Sequence, residues 1–345
     1  MIKSLSLVSM LAFAMLFSTN SSAQSFSTAI EYMNFIGTHY EQISKDQWSY
    51  TSAVAHDKSA KKIDAKRKSL LSSNLSAQKK VAKMAEWDGD GSYRDAVVKF
   101  LTLNYDVLNQ DYAKIVDMEE IAEQSYDLME AYLMAQEQAS DKINEASKML
   151  SEEQSKFAEA NEITLLDNQT KRAKKLENAG LVYSHYNEIY LIFFKCYKQE
   201  IYVLDAMNQG DVSSMEQNNS ALLSYAEEGL EKLKTSKPYG GDKSLIEAGV
   251  SILEFYKSEA AKDNPVLIDS YLKKENFEKI NASFTSKKDK DKTQEDVDQY
   301  NQAVNDYNVS IEANNKTNES LNKVRAKKID LWNNISKKYT RKHVH

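Results

Sequence analysis

Apolar side chains return every three or four positions along most of this chain, the spacing that lines one face of an α-helix. The densest case is Leu181 to Met207. There Val182, Tyr186, Ile189, Phe193 and Cys196 form one row, and Tyr183, Tyr190, Phe194, Tyr197, Ile201 and Leu204 a second. Two such rows cover most of a helix's circumference, so this stretch is predicted as a central helix enclosed on several sides. Glu188, Lys195, Lys198 and Glu200 interrupt it. Each would cost roughly 3 kcal/mol at mid-bilayer, which favours a buried helix over a membrane span.

The same spacing predicts further helices over Phe26–Ala55 and Ala60–Trp87. An unbroken helix of about 40 residues follows, on a seam running from Val97 through Leu108, Ser125 and Met129 to Gln136, continued over Ile143–Ile163. After the central helix come helices over Val212–Lys234 and Leu245–Ala261, then a short one starting at Asp263-Asn264-Pro265. A last heptad helix spans about Glu295 to Tyr339, with Val297, Val304, Ile311, Val324 and Trp332 among its seam residues. Two glycine-containing turns punctuate the order, Trp87–Ser92 and Lys237–Asp242, and Gly91-Ser92 and Gly241-Asp242 lie about 150 residues apart. That echo fits a duplication and fits equally the monotony of helical hairpins. The polar run SKKDKDKT, 286–293, is read as a mobile loop. The expected fold is all-α: elongated antiparallel bundles with coiled-coil-like long helices in two similar halves, 24–168 and 169–345.

Composition sharpens this picture. Two prolines and nine glycines in 345 residues leave little to interrupt helices. Lys3, the apolar run Leu5–Phe17 and Ser21-Ser22-Ala23 have the order of a secretory signal, so residues 1–23 are expected to be removed after Ala23. Without Lys3, 44 basic residues face 51 acidic ones, which argues against nucleic acid as a partner. An exported chain with the single Cys196 forms no internal disulfide, so packing must hold it together.

Candidate chemistry is sparse. The aspartates of Asp88-Gly89-Asp90 suggest a calcium loop, but counting twelve from Asp88 reaches Lys99 rather than a glutamate. The glycines then serve to reverse the chain, and Asp90 or Ser92 caps the next helix. None of the five histidines stands in a zinc-protease or di-iron spacing, and no phosphate-binding glycine loop, nucleophile elbow or Cys-x-x-Cys is present. No catalytic residue, metal ligand or cofactor is predicted. Twenty tyrosines suit half-wet cores and recognition surfaces alike. The candidate interaction residues are therefore Tyr183, Tyr190 and Tyr197, with Asn314 and Asn318 at seam positions of the last helix.

FIGTHYEQISKDQWSY, GDGSYRDAVVKFLTLNYDVLNQDY and EEQSKFAEANEITL together resemble an uncharacterised family of exported bacterial surface proteins. The resemblance implies an exported helical protein and transfers no catalytic residue. The leading expectation is a scaffold, in the periplasm, at the outer surface or secreted, that binds a protein or envelope component or associates with itself. It carries no membrane span once the signal is removed. A helical toxin-like protein is the alternative, and a periplasmic enzyme or ligand sensor a third.

Overall fold

The computed structural model describes residues 26–56, 58–111, 121–166 and 170–345. The expected signal peptide and the boundary at 168 lie outside them. Among the described residues the fold is all-α, with no strand. The helices are α1 (Ala29–Ala55), α2 (Ala60–Val81), α3 (Ser92–Asp106), α4 (Tyr126–Ala160), α5 (Lys171–Gln209), α6 (Val212–Thr235), α7 (Ser244–Ser258), α8 (Asn264–Ser286) and α9 (Gln294–His343). Two compact units result. The first takes the described residues up to Asn187 together with Lys337–His345, and the second is Glu188–Ser336.

Several helices start where a side chain satisfies a free amide. Thr28, Ser125 and Asp211 accept from the N–H groups of Glu31, Leu128 and Ser214. Ser125 also overturns one expectation. It sits in extended backbone at φ −148° and caps α4, so the seam expected to run unbroken from Val97 to Gln136 is divided, with α3 ending at Asp106. A hydroxyl that competes for backbone amides makes a better cap than a seam residue.

In the first unit Tyr32 and Ile36 of α1, Leu70 of α2, Phe100 and Leu101 of α3 and Ile143 and Phe157 of α4 are buried. Tyr32 stacks on Phe157 at 5.5 Å and donates its hydroxyl to the Ala85 carbonyl at 3.0 Å. In the second unit Ile189 (0% exposed) and Phe193 (6%) stand in the core, as a central helix requires. Phe193 stacks on Trp332 at 4.4 Å. Cys196 is buried, and desolvation pushes its thiol up to about 12, so it is a core filler with no thiolate character.

The sequence echo has a counterpart in local structure. Trp87 and Asp90 form an isolated antiparallel bridge, as do Tyr239 and Asp242. Each aspartate then accepts from the N–H two residues on, Ser92 at 2.8 Å and Ser244 at 2.9 Å. Gly89 and Gly241 lie at φ 78° and 79°, which an L side chain rarely adopts. A helix follows each turn, Ser92–Asp106 or Ser244–Ser258, and runs into a five-residue π-helical segment, Val107–Asp111 or Glu259–Asp263. Buried positions match at the same spacing: Leu70 with Leu222, Val81 with Leu233, Phe100 with Ile252, Leu101 with Leu253 and Asn104 with Tyr256. The two stretches share one plan, and the second π segment joins α7 to α8 without the separate helix start expected at Pro265.

Candidate functional site

The second π segment buries charge. A π turn inserts one residue into the ladder, freeing backbone groups and re-aiming side chains inward. Asn219 of α6 restores the balance: its Nδ2 donates to the Ala260 carbonyl at 2.9 Å, and its Oδ1 accepts from Asn264 at 2.9 Å. Glu259, at the place held by Val107 in the first unit, is only 1% exposed, and Glu200 of α5 is 2% exposed. Arg325 of α9 answers both, donating from Nε to Glu200 and from Nη2 to Glu259 at 2.5 Å.

Two carboxylates and one guanidinium leave one negative charge uncompensated in a dry site. Burial, reinforced by Glu200, pushes the Glu259 carboxyl up to about 8. Burial opposes the Arg325 charge, yet the two carboxylates hold its guanidinium above the usual value. Burial and the same carboxylates push the Tyr256 phenol well above 10. The node can hold a proton and brace α5, the π segment and α9. Among the described residues no group of three or more His, Cys, Asp or Glu side chains could hold a metal ion.

Beyond the node, α8 and α9 form a hairpin. Phe284 stacks on Tyr300 at 4.6 Å and Phe277 on Tyr307 at 5.5 Å. Lys287 pairs with Asp296 at 2.5 Å, and the Thr293 N–H donates to Asp296 at 2.9 Å, closing the 286–293 connection. Residues 271–286 contain no buried position, and opposite them only Ala303 and Ser310 are buried between 294 and 313.

The predicted interaction residues separate. Tyr183 is 2% exposed, in the first unit. Tyr190, 9% exposed, stacks on Phe194 at 5.5 Å, and the half-buried Tyr197 stacks on Phe193 at 5.6 Å, so these two share one aromatic cluster. Asn314 is half-buried and donates to Ser270 Oγ at 2.6 Å, while Asn318 is exposed. Sequence reasoning missed the node. It placed Val324 in the α9 seam, but Val324 is 39% exposed and Arg325 turns inward. Arg325 does continue the seven-residue rhythm of Val297, Val304, Ile311 and Asn318, and that was the available signal.

In the first unit α3 and α4 line an open groove of about 850 Å³, whose walls include Phe100, Leu103, Ala146 and Met149 together with Lys99, Lys142 and Glu145. Gln47, Asn74 and Asn104 are fully buried with both amide atoms unpartnered. No described helix is long and apolar enough to cross a membrane. A scan against family models, a search of curated proteins and a search of solved structures return no match.

Proposed function

We propose that this chain is an exported helical scaffold that acts by binding a macromolecule of the cell envelope or by associating with itself. The observation that carries the reading is the α8–α9 hairpin, whose aromatic seam is half-exposed and whose 271–286 limb buries nothing fully. Helices gain their stability from covered apolar faces, so a limb of this kind gains from a partner. Export rests on the signal-like residues 1–23. The test is to isolate the processed chain, determine its N-terminus and mass, and expose it to envelope extracts under crosslinking. A retained N-terminus removes export. A monomer that captures nothing removes the scaffold reading.

A ligand-sensing role is favoured by one observation, the three unpartnered amides of Gln47, Asn74 and Asn104. Each such buried group costs about 1–3 kcal/mol unless it is satisfied. A small polar ligand bound among them would raise the melting temperature, and an Asn104→Leu variant would lose that response. A thermal-shift screen of polar metabolites without any such ligand would retire this second reading.

A further inference from the structure

The two stretches that share a turn and a π segment share their flanking helices as well. Buried positions of α1 recur in α5 at a spacing of 153 residues, Ile36 with Ile189, Ile43 with Cys196 and Val54 with Met207. Those of α4 recur in α9 at a spacing of 182, Leu150 with Trp332, Gln154 with Ser336 and Phe157 with Tyr339. Contacts follow the same correspondence. Phe157 stacks on Tyr32, and Tyr339 packs at 5.7 Å against His185, the residue that matches Tyr32. The buried ion node falls on three matched positions. Glu200, Glu259 and Arg325 stand where the first set of helices has Gln47, Val107 and Ile143, each at most 3% exposed.

The first set therefore acts as an internal control. The same plan closes there without charge, and an ion group buried in place of neutral side chains seldom adds stability. Packing alone does not account for the node. Its geometry suits a bound proton. Arg325 serves Glu200 and one oxygen of Glu259, but Glu259 Oε2 is buried with no donor to meet it. An ionised carboxylate only accepts, so it needs donors on both oxygens, whereas a protonated one carries its own. The charged and titratable groups around Glu259 are Glu200 and Cys196 on α5, Tyr256 on α7 and Arg325 on α9. From α6 and α8 come the neutral Asn219 and Asn264. The next cation along α9, Lys328, donates to Ser251 at 2.8 Å and is engaged there.

We propose that the node is a proton-dependent latch: a protonated Glu259 keeps the π turn and α9 closed on α5, and the turn opens more readily as pH rises because the open form gives that proton up to solvent. Opening admits water to Oε2 and separates two carboxylates that share one guanidinium. The π turn is the element that can yield, since its backbone ladder is already irregular and leans on the bond from Asn219 to the Ala260 carbonyl. It also runs directly into α8, so the latch acts at the root of the half-covered α8–α9 hairpin. The latch does not depend on what the hairpin binds, and it stands or falls apart from the scaffold reading.

Cys196 supplies the probe, being the sole thiol, fully buried and one helical turn from Glu200. Its labelling by dithiodipyridine in the full chain is compared with that in Glu259→Gln at each pH from 5 to 9, which cancels the intrinsic reactivity of the thiol. The ratio of native to variant should rise at least about tenfold between pH 5 and 8 and level off above. Hydrogen exchange of 256–268, compared in the same way, should rise with it, while that of 222–230 in α6 stays unchanged. A triple variant carrying the first set's residues, Glu200→Gln, Glu259→Val and Arg325→Ile, should fold and lose the pH response. If it does not fold, Glu259→Gln decides alone. A flat ratio overturns the proposal. So does an equal rise in 222–230, which would mean ordinary destabilisation, or a folded triple variant that keeps the response.

Discussion

At the residue scale the buried Arg325 node shows how one position changes meaning with its neighbours. An arginine on a mostly exposed helix is ordinarily a solvated charge, but here it is the counter-ion of Glu200 and Glu259. Removing one member of a buried ion group strands the rest, so Arg325→Met should cost about 3–5 kcal/mol, measurable by urea unfolding. Glu259 yields a pH prediction with a definite sign. Its carboxyl is raised from the ordinary 4.5 to about 8 in the fold. The folded chain therefore keeps a proton that the unfolded chain has released across that window. The stability it contributes is fully present below pH 4.5, is lost as pH rises through about 8, and is flat beyond. Urea unfolding from pH 5 to 9 should show the native chain losing stability relative to Glu259→Gln. A constant difference between the two would show that Glu259 does not titrate in this window. Neither carboxylate was legible in the sequence, because charged residues occur everywhere in it and only packing separates a buried glutamate from a solvated one.

At the scale of elements, the matched turns and π segments connect sequence to local structure. Asp90 and Asp242 cap the helices that follow, and Asp242→Ala should cost about 1 kcal/mol. Gly229 on α6 is held by packing rather than by its backbone angle. A Cβ there would lie 2.4 Å from Leu253 Cδ2 and 2.9 Å from Ile192 Cγ2. Two neighbours would have to move, so Gly229→Ala should destabilise by about 1–3 kcal/mol, readable in a thermal melt. The corresponding position in the first unit is the buried Ala77, which needs no such close approach. Gly229 was not distinctive in the sequence, since the residues it meets come from α5 and α7. The turns were distinctive, since Gly-Asp chemistry acts over three or four residues.

For the whole molecule, burial is unevenly spread. α5 buries residues on several sides through Val182–Met207, whereas the 271–313 hairpin has only a half-covered seam. Local opening follows such coverage, so backbone amides of 271–286 should exchange with deuterium well before those of 189–206 in native-state measurements. Equal protection would contradict the exposed hairpin. The sequence by itself determined the helices, their all-α class and most of the core, because a recurrence of three and four needs no knowledge of partners. It placed Ile189 and Phe193 inside for that reason. Tertiary structure alone decided that Arg325 turns inward while Val324 faces out, and that Glu200 and Glu259 are the carboxylates it meets. Each of these depends on which helix arrives from a distant part of the chain, and periodicity fixes the face of a helix without fixing what meets it.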